Sequence, residues 1–272
     1  MSGGFLKSEG LEADYCQSTP ERGLPGSLRN GSVHLAQSAV ATSFADLEQG
    51  KSIDIVHFAQ INRLDGFFLA GREPDPDFTW EKLQGKQVLV DHLFQPLAMF
   101  RYALDRQGVD ESQVTIIDAG SVEEMDRAFR EGRGDYVHQQ GPFPQQLEKD
   151  GVGHPVASVG KVVGPLAFSS LCATREWLES DMAKAFVRAY RKAGAFVLES
   201  PAAELAQLEG HFFPGIEREV LTETIAAYQQ MGNWSADPQI GLADYEHLLD
   251  VFLFSGLITR RHPYESCVAP LP

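Results

Sequence analysis

The sequence lacks any apolar run near the roughly 18 residues that a membrane span requires, so no segment is expected to insert directly into a bilayer. Its opening stretch, MSGGFLKSEG, has neither the basic start nor the apolar centre of a secretory signal; as written, the chain carries no export address and reads as cytoplasmic if Met1 is the true start. Basic residues are scarce: 23 Lys and Arg against 38 Asp and Glu leave a formal charge of −15. That balance argues against nucleic acid as a partner, although an acidic protein can still hold an anion locally at a helix N-terminus. Cys16, Cys172 and Cys267 are few, odd in number and far apart, which suggests neither a disulfide framework nor a paired-cysteine metal site. The eight histidines form no HExxH and no tight cluster, so no metal is expected, nor any cofactor. GxGxxG after a strand, GxxxxGK[ST] and GxSxG are all missing, which removes the common dinucleotide, nucleotide-triphosphate and hydrolase signatures.

What is present is a globular composition, 43% hydrophobic and 22% charged, over 272 residues, enough for one large domain or two lobes. The stretch Arg29 to Gln60 reads as strand, loop, helix and strand. Asn30-Gly31 is a turn signal and Val33 to Ala36 a short apolar strand. Ser38 stands where an N-cap would, Ala41, Phe44 and Leu47 recur at helical spacing, and Gly50 stops the helix before an apolar strand from Ile53 to Ala59. Strand, crossover helix and strand imply parallel neighbours, with the helix N-terminus opening at the carboxyl edge of the sheet, where open α/β sheets bind ligands.

The same alternation continues: strands at Leu11 to Tyr15, Gly66 to Ala70, Gln87 to Val90, Val114 to Ile117, Asp135 to His138 and Pro155 to Val159, with helices between them. Pro96 can occupy the first turn of its helix, where the missing N–H costs nothing. After Gly164-Pro165 comes the apolar strand Leu166 to Cys172, and from there the chain turns helical to about Leu257. The fold class is therefore α/β with mainly parallel sheets flanked by helices.

In this order the pieces resemble the type II periplasmic binding proteins, in the class serving nitrate, sulfonate, taurine and thiamine-pyrimidine-precursor transport. The resemblance rests on Gly4-Phe5-Leu6 with Glu9-Gly10-Leu11, Leu28 with Gly31-Ser32-Val33, Leu83-Gln84-Gly85-Lys86, Gly132-Arg133-Gly134-Asp135 and the helix Phe186 to Pro201. It implies two lobes closing on a ligand: residues 1–78 and 164–272 for the first, 79–163 for the second. It also implies an ABC-transporter permease as partner, a periplasmic site of action and a monomer. Two departures stand out. The family's first strand is not found before Gly4: either the start is a truncation or an internal Met codon, or the strand is lacking, which would leave a sheet edge unpaired. His34 stands where the family usually has an aspartate.

The match places the ligand at strand ends. Thr19, Gln37, Ser38 and Ala39 are the candidates in the first lobe, His92, Phe94, Gln95, Gln139 and Gln140 in the second, and Phe168 and Ser169 near the return crossover. Ser38 and Gln95 offer a hydroxyl and an amide beside helix N–H groups, which suits a carboxylate or sulfonate, while Phe94 and Phe168 allow a flat heteroaromatic ring. Blander readings stand beside these: Ser38 as an N-cap only, His92 as a locally bonded histidine, Gln139-Gln140 as an ordinary loop, Cys172 as an inert buried thiol. Relatives on the fold include a pyrimidine synthase and a desulfinase. The cysteine-rich motif of the first is absent and the early cysteine of the second has no counterpart here, so no catalytic residue is assigned. A cytoplasmic ligand sensor is the remaining alternative.

Overall fold

The computed structural model describes residues 2–16 and 23–272; Thr19 lies outside them. Helices α1 (Phe5–Ser8) and α2 (Leu24–Arg29) precede strand β1 (Ala36–Ser38), after which a 3-10 turn, Val40–Ser43, runs into α3 (Phe44–Glu48). Then come β2 (Ile55–Asn62), β3 (Phe67–Gly71), β4 (Gln87–Val90), α4 (Phe94–Arg106), β5 (Thr115–Ile117) and α5 (Val122–Arg130). β6 (Tyr136–Gln140), α6 (Phe143–Lys149), β7 (His154–Ser158) and α7 (Val159–Val163) complete that block, and β8 (Ser169–Thr174) returns from it. Helices α8 (Arg175–Leu178), α9 (Asp181–Glu199), α10 (Ala202–Glu209), α11 (Arg218–Met231), α12 (Leu242–Phe254) and α13 (Tyr264–Cys267) follow.

Local chemistry explains most of these bounds. Ser121 and Glu124 form a reciprocal capping box on α5. Ser180 caps α9, its hydroxyl accepting from Ala183 N at 3.1 Å. Gly232, at φ 73°, ends α11 in the left-handed region. The expected helix from Val40 to Leu47 is instead a 3-10 turn followed by α3, and its N-cap position falls on Ala39 with no side-chain cap, not on Ser38. The expected strand Leu11 to Tyr15 does not form, and the one expected at Val33 to Ala36 is displaced to Ala36–Ser38.

Two sheets result. The smaller has the order β1-β8-β2, and both of its pairings are antiparallel. β1 and β2 thus run the same way, as the intervening helix dictates, but β8 lies between them rather than leaving them as neighbours. The five-stranded sheet has the order β5-β4-β6-β3-β7, parallel from β5 to β6 and antiparallel on both sides of β3. The smaller sheet is accordingly antiparallel and the larger one mixed, where mainly parallel sheets were expected. β3 pairs with β6 and β7, so by sheet membership it goes with the 79–163 block and not with the first 78 residues. Among the described residues β1 and β2 are the edge strands of the smaller sheet.

One apolar core joins the sheets. It runs from Val40 and Phe44 through Leu69, Val90 and Phe100 to Phe252 and Val268. Phe44 packs edge-on against Phe252 and Tyr245, at centroid distances of 5.4 and 6.2 Å. The chain crosses between the sheets at residues 63–66 and 164–168, and the two crossovers touch, Leu166 N donating to Arg63 O at 2.8 Å.

Residues 228–247 bind both crossovers. Tyr228 donates to Gly66 O at 2.8 Å and accepts from Gly141 N at 3.0 Å. The fully buried Asn233 accepts from Arg63 N (3.0 Å) through its carbonyl and from Leu64 N (3.2 Å) through Oδ1. Asp244 O accepts from Ala167 N at 3.0 Å, and His247 Nδ1 donates to Pro165 O at 2.7 Å. Helix α11 also touches α6, where Thr224 donates to Gln145 at 3.3 Å, so the helical C-terminal part serves both sheets. Tyr228→Phe would leave the Gly141 N–H and the Gly66 carbonyl without this partner. Urea unfolding should show a loss of about 1–3 kcal/mol, the cost of a stranded buried polar group. An unchanged midpoint and slope would mean the hydroxyl does not hold the crossover.

Candidate functional site

The turn leaving β1 meets the start of α4. A recess of about 300 Å³ opens there, lined by Ala41, Thr42, Phe44 and Ala45 on one side, Phe94 on the other, and Phe252 and Leu257 from the C-terminal part. Helix α4 is 13 residues long, has no side-chain cap and carries no acidic residue in its first turn. Asp91 Oδ1 is occupied just outside it, accepting from Leu93 N at 2.8 Å. The positive end of the α4 dipole is therefore not offset by a side chain of its own first turn, the situation that favours an anion.

Four of the expected site residues form one linked set, none of them in the lining of this recess. Gln37 donates from Nε2 to Ser169 Oγ at 3.2 Å, and the preceding carbonyl, Phe168 O, accepts from Gln95 Nε2 at 3.2 Å. Gln95 is buried, and its Oε1 has no hydrogen-bond partner. Ser38 adjoins the set: its hydroxyl lies 3.2 Å from Thr42 Oγ1, which itself donates to Ala39 O at 2.7 Å. Since Thr42 spends its proton on that carbonyl, Ser38 is the donor between the two hydroxyls. Ala39 is the extended residue linking β1 to the turn. Phe94 is partly exposed on the rim and meets Phe252 edge-on at 5.9 Å.

The others lie elsewhere. His92 Nδ1 donates to Val90 O at 2.8 Å and stands 4.0 Å from Asp118, the locally bonded arrangement. Gln139 is fully buried on the opposite face of β6 from His138, its Nε2 reaching Val122 O of α5 at 3.4 Å. Strand alternation turns Gln139 toward α5. Gln140 sits across from Phe67 near Tyr228.

Several buried polar side chains were not anticipated. His57 of β2, 1% exposed, has Nδ1 2.7 Å from Ser170 Oγ and Nε2 3.4 Å from Ser43 Oγ. Ser170 in turn donates to Ser38 O at 3.2 Å. Burial pushes the His57 imidazole down to about 4. His138 is fully enclosed, stacked on Phe67 at 4.6 Å, with both ring nitrogens unpartnered and its pKa pushed by burial to about 3. Asp65, on the first crossover, is fully buried; burial raises its carboxyl to about 7 against one opposing hydrogen bond from Phe67 N at 2.8 Å. The sequence signal for the two histidines was a polar residue inside an apolar strand, IVHFA and YVHQQ, which periodicity alone reads as core.

Cys172 and Cys267 are buried, and burial pushes both thiols up to about 11, so neither is an activated nucleophile. Among the described residues no group of three metal-ligating side chains converges, and no helix is long and apolar enough to cross a membrane.

Comparison with known proteins agrees with this architecture. A provisionally named binding protein, YtlA of Bacillus subtilis (strain 168), is 29% identical over 272 residues, covering 98% of this chain and 81% of that protein. The ligand binding component of an ABC-type import system from Staphylococcus aureus superposes with a TM-score of 0.72 at 18% identity, over 99% of this chain and 92% of that one. The alkanesulfonate-binding protein SsuA from Xanthomonas axonopodis pv. citri, bound to MOPS, gives 0.67 at 17% identity, over 91% and 84%. The shared fold is that of the periplasmic binding proteins. The family model described as NMT1/THI5 like matches residues 1–204, and the chain belongs to that family.

Proposed function

We propose that this protein is the substrate-binding component of an ABC-type importer, acting as a monomer outside the membrane with a permease as partner, and that it performs no catalysis. Its ligand is a small organic anion or heteroaromatic molecule of the sulfonate, nitrate, taurine or pyrimidine-precursor class, held between the two sheets. The observation that carries this reading is the α4 N-terminus, with no acidic residue in its first turn, sharing a recess with the turn that leaves β1. A helix terminus supplies N–H donors and positive potential to an anionic head, and the aromatic walls accept an apolar remainder. The nearby Gln95 Oε1 and the Ser38–Thr42 hydroxyls add polar groups of both kinds. SsuA binding a sulfonate-class molecule on the same fold supports the substrate class. We carry forward the three-segment division 1–78, 79–163 and 164–272, with the first boundary drawn back to between Asn62 and Phe67 by the pairing of β3.

The test is a thermal-shift screen with MOPS, taurine, methanesulfonate, nitrate and formylated aminopyrimidines, followed by calorimetry on any hit. A ligand present at about 100 times its Kd should stabilise the fold by about 2.7 kcal/mol. Gln95→Ala should then weaken binding roughly tenfold, about 1.4 kcal/mol. Gln139→Ala, which lies under α5, should leave affinity unchanged. A panel without a single shift, or equal effects of the two substitutions, would reject this site.

A further inference from the structure

The polar contacts beneath the turn have a direction that can be worked out from proton counts. Ser170 has one hydroxyl proton and donates it to Ser38 O at 3.2 Å. Its oxygen can therefore only accept from His57 Nδ1, 2.7 Å away, so Nδ1 carries the proton. A neutral imidazole then has Nε2 as an acceptor, and the group facing it at 3.4 Å is the hydroxyl of Ser43. The chain runs one way: Ser43 O–H to Nε2, Nδ1–H to Ser170 Oγ, Ser170 O–H to the Ser38 carbonyl. All three side chains are buried.

The ends of this chain matter more than its middle. Ser38 is the last residue of β1 and Ser43 the last of the 3-10 turn, so the relay spans Ala39 to Thr42 from both sides. Its central members stand on β2 and β8, which pair along most of their length and give a fixed base. Ala41 and Thr42, inside the span, line the recess. The ladder between β1 and β8 needs none of these side chains, and an apolar residue at position 57 would avoid the cost of enclosing an imidazole. We propose that Ser43, His57 and Ser170 form a positioning relay that holds the Ala39–Thr42 turn in the single conformation presented to the ligand. This rests on the reading of the recess as the ligand site, but the relay itself has readouts that need no ligand.

Histidine-selective 15N NMR on the full chain at pH 7 should show His57 neutral with the proton on Nδ1, the tautomer less common in solution. A purely space-filling histidine has no reason to adopt it. Hydrogen–deuterium exchange of the amides from Ala39 to Ser43 should rise by roughly tenfold in Ser170→Ala, the factor corresponding to one buried hydrogen bond, while β2 and β8 keep their protection. His57→Asn keeps an N–H near the Nδ1 position and should retain most of the protection; His57→Phe, of similar bulk, should lose it. An Nε2–H tautomer, an imidazolium at pH 7, or equal turn protection in wild type and Ser170→Ala overturns the proposal. If the relay signatures appear while MOPS and every other probe in the panel fail to bind, the relay holds and the assignment of the recess falls.

Discussion

Gly160→Ala is expected to lower the melting temperature by roughly 10 °C, a loss of about 3 kcal/mol or more at about 2–4 °C per kcal/mol for a chain of this size. The reason is a backbone contact. A Cβ at position 160 would lie 2.1 Å from Asp65 O and 3.0 Å from both Asp65 C and Asp65 N. No side chain can rotate out of the way, so either α7 or the first crossover has to move. Helix α7 is not free to yield: Ser158 accepts from Lys161 N at its start, and Val159 and Val163 are buried in the common core. The crossover is held on its other side by Asn233 and Tyr228. Gly26→Ala in α2 is the control, since nothing lies within 4 Å of the place its methyl carbon would take and a helical alanine gains up to about 1 kcal/mol over glycine. Thermal unfolding followed by circular dichroism decides it. A drop of less than about 3 °C for Gly160→Ala, under about 1 kcal/mol on the same scale, would show that the crossover adjusts freely.

Asp65→Asn should stabilise the protein at pH 8 and not at pH 4. In the folded chain the Asp65 carboxyl is raised from 3.8 to about 7, chiefly by burial, so the fold favours its protonated form. That contribution is fully present below about 3.8, is lost as pH rises through the window up to about 7, and is gone above it. Three units at about 1.4 kcal/mol each put the effect at about 4 kcal/mol at most. Asparagine keeps an oxygen for the Phe67 N–H bond and has no charge to bury. His57 and His138 act in the other direction. Burial lowers their folded pKa values to about 4 and about 3, so their neutral forms support the fold above 6.5 and stability drains away as pH falls from there. Between pH 4 and 6.5 the two slopes oppose one another in the wild type. In Asp65→Asn only the histidine slope remains, and stability should fall more steeply toward acid. Denaturant unfolding at pH 4.5, 6 and 8 reads both effects; parallel pH curves for wild type and variant would rule them out.

Much of this architecture could be read from local patterns. The alternation from Gln87 to Ser158 stands where apolar runs and glycine stops place it. What escaped was set by partners distant in sequence. Phe67–Gly71 is buried throughout, so nothing in its own residues says which sheet it joins; β6 and β7 decide that. β8 enters between β1 and β2 because the chain comes back from the larger block, a fact no window around Ala36 or Ile55 contains. The site was legible in part for the same reason. Gln37 and Gln95 were read from strand ends and Phe168 and Ser169 from the return crossover, and the four are joined by hydrogen bonds, whereas Gln139 sits at an equally good strand end but on the face turned to α5. His57 and Ser170 came from interior strand positions 113 residues apart, and only the register of β2 on β8 brings them together.

The place of β8 also dictates when the smaller sheet can exist. β1 and β2 make no ladder with each other; each pairs with the strand that spans Ser169–Thr174. While the protein is being synthesised, both early strands emerge well before their common partner, so the five-stranded sheet, whose strands are all made by Ser158, has the opportunity to form first. The bonds that hold the crossovers wait longer still, until residues 228–247 have left the ribosome. The recess is completed after them, because Phe252 and Leu257 line it.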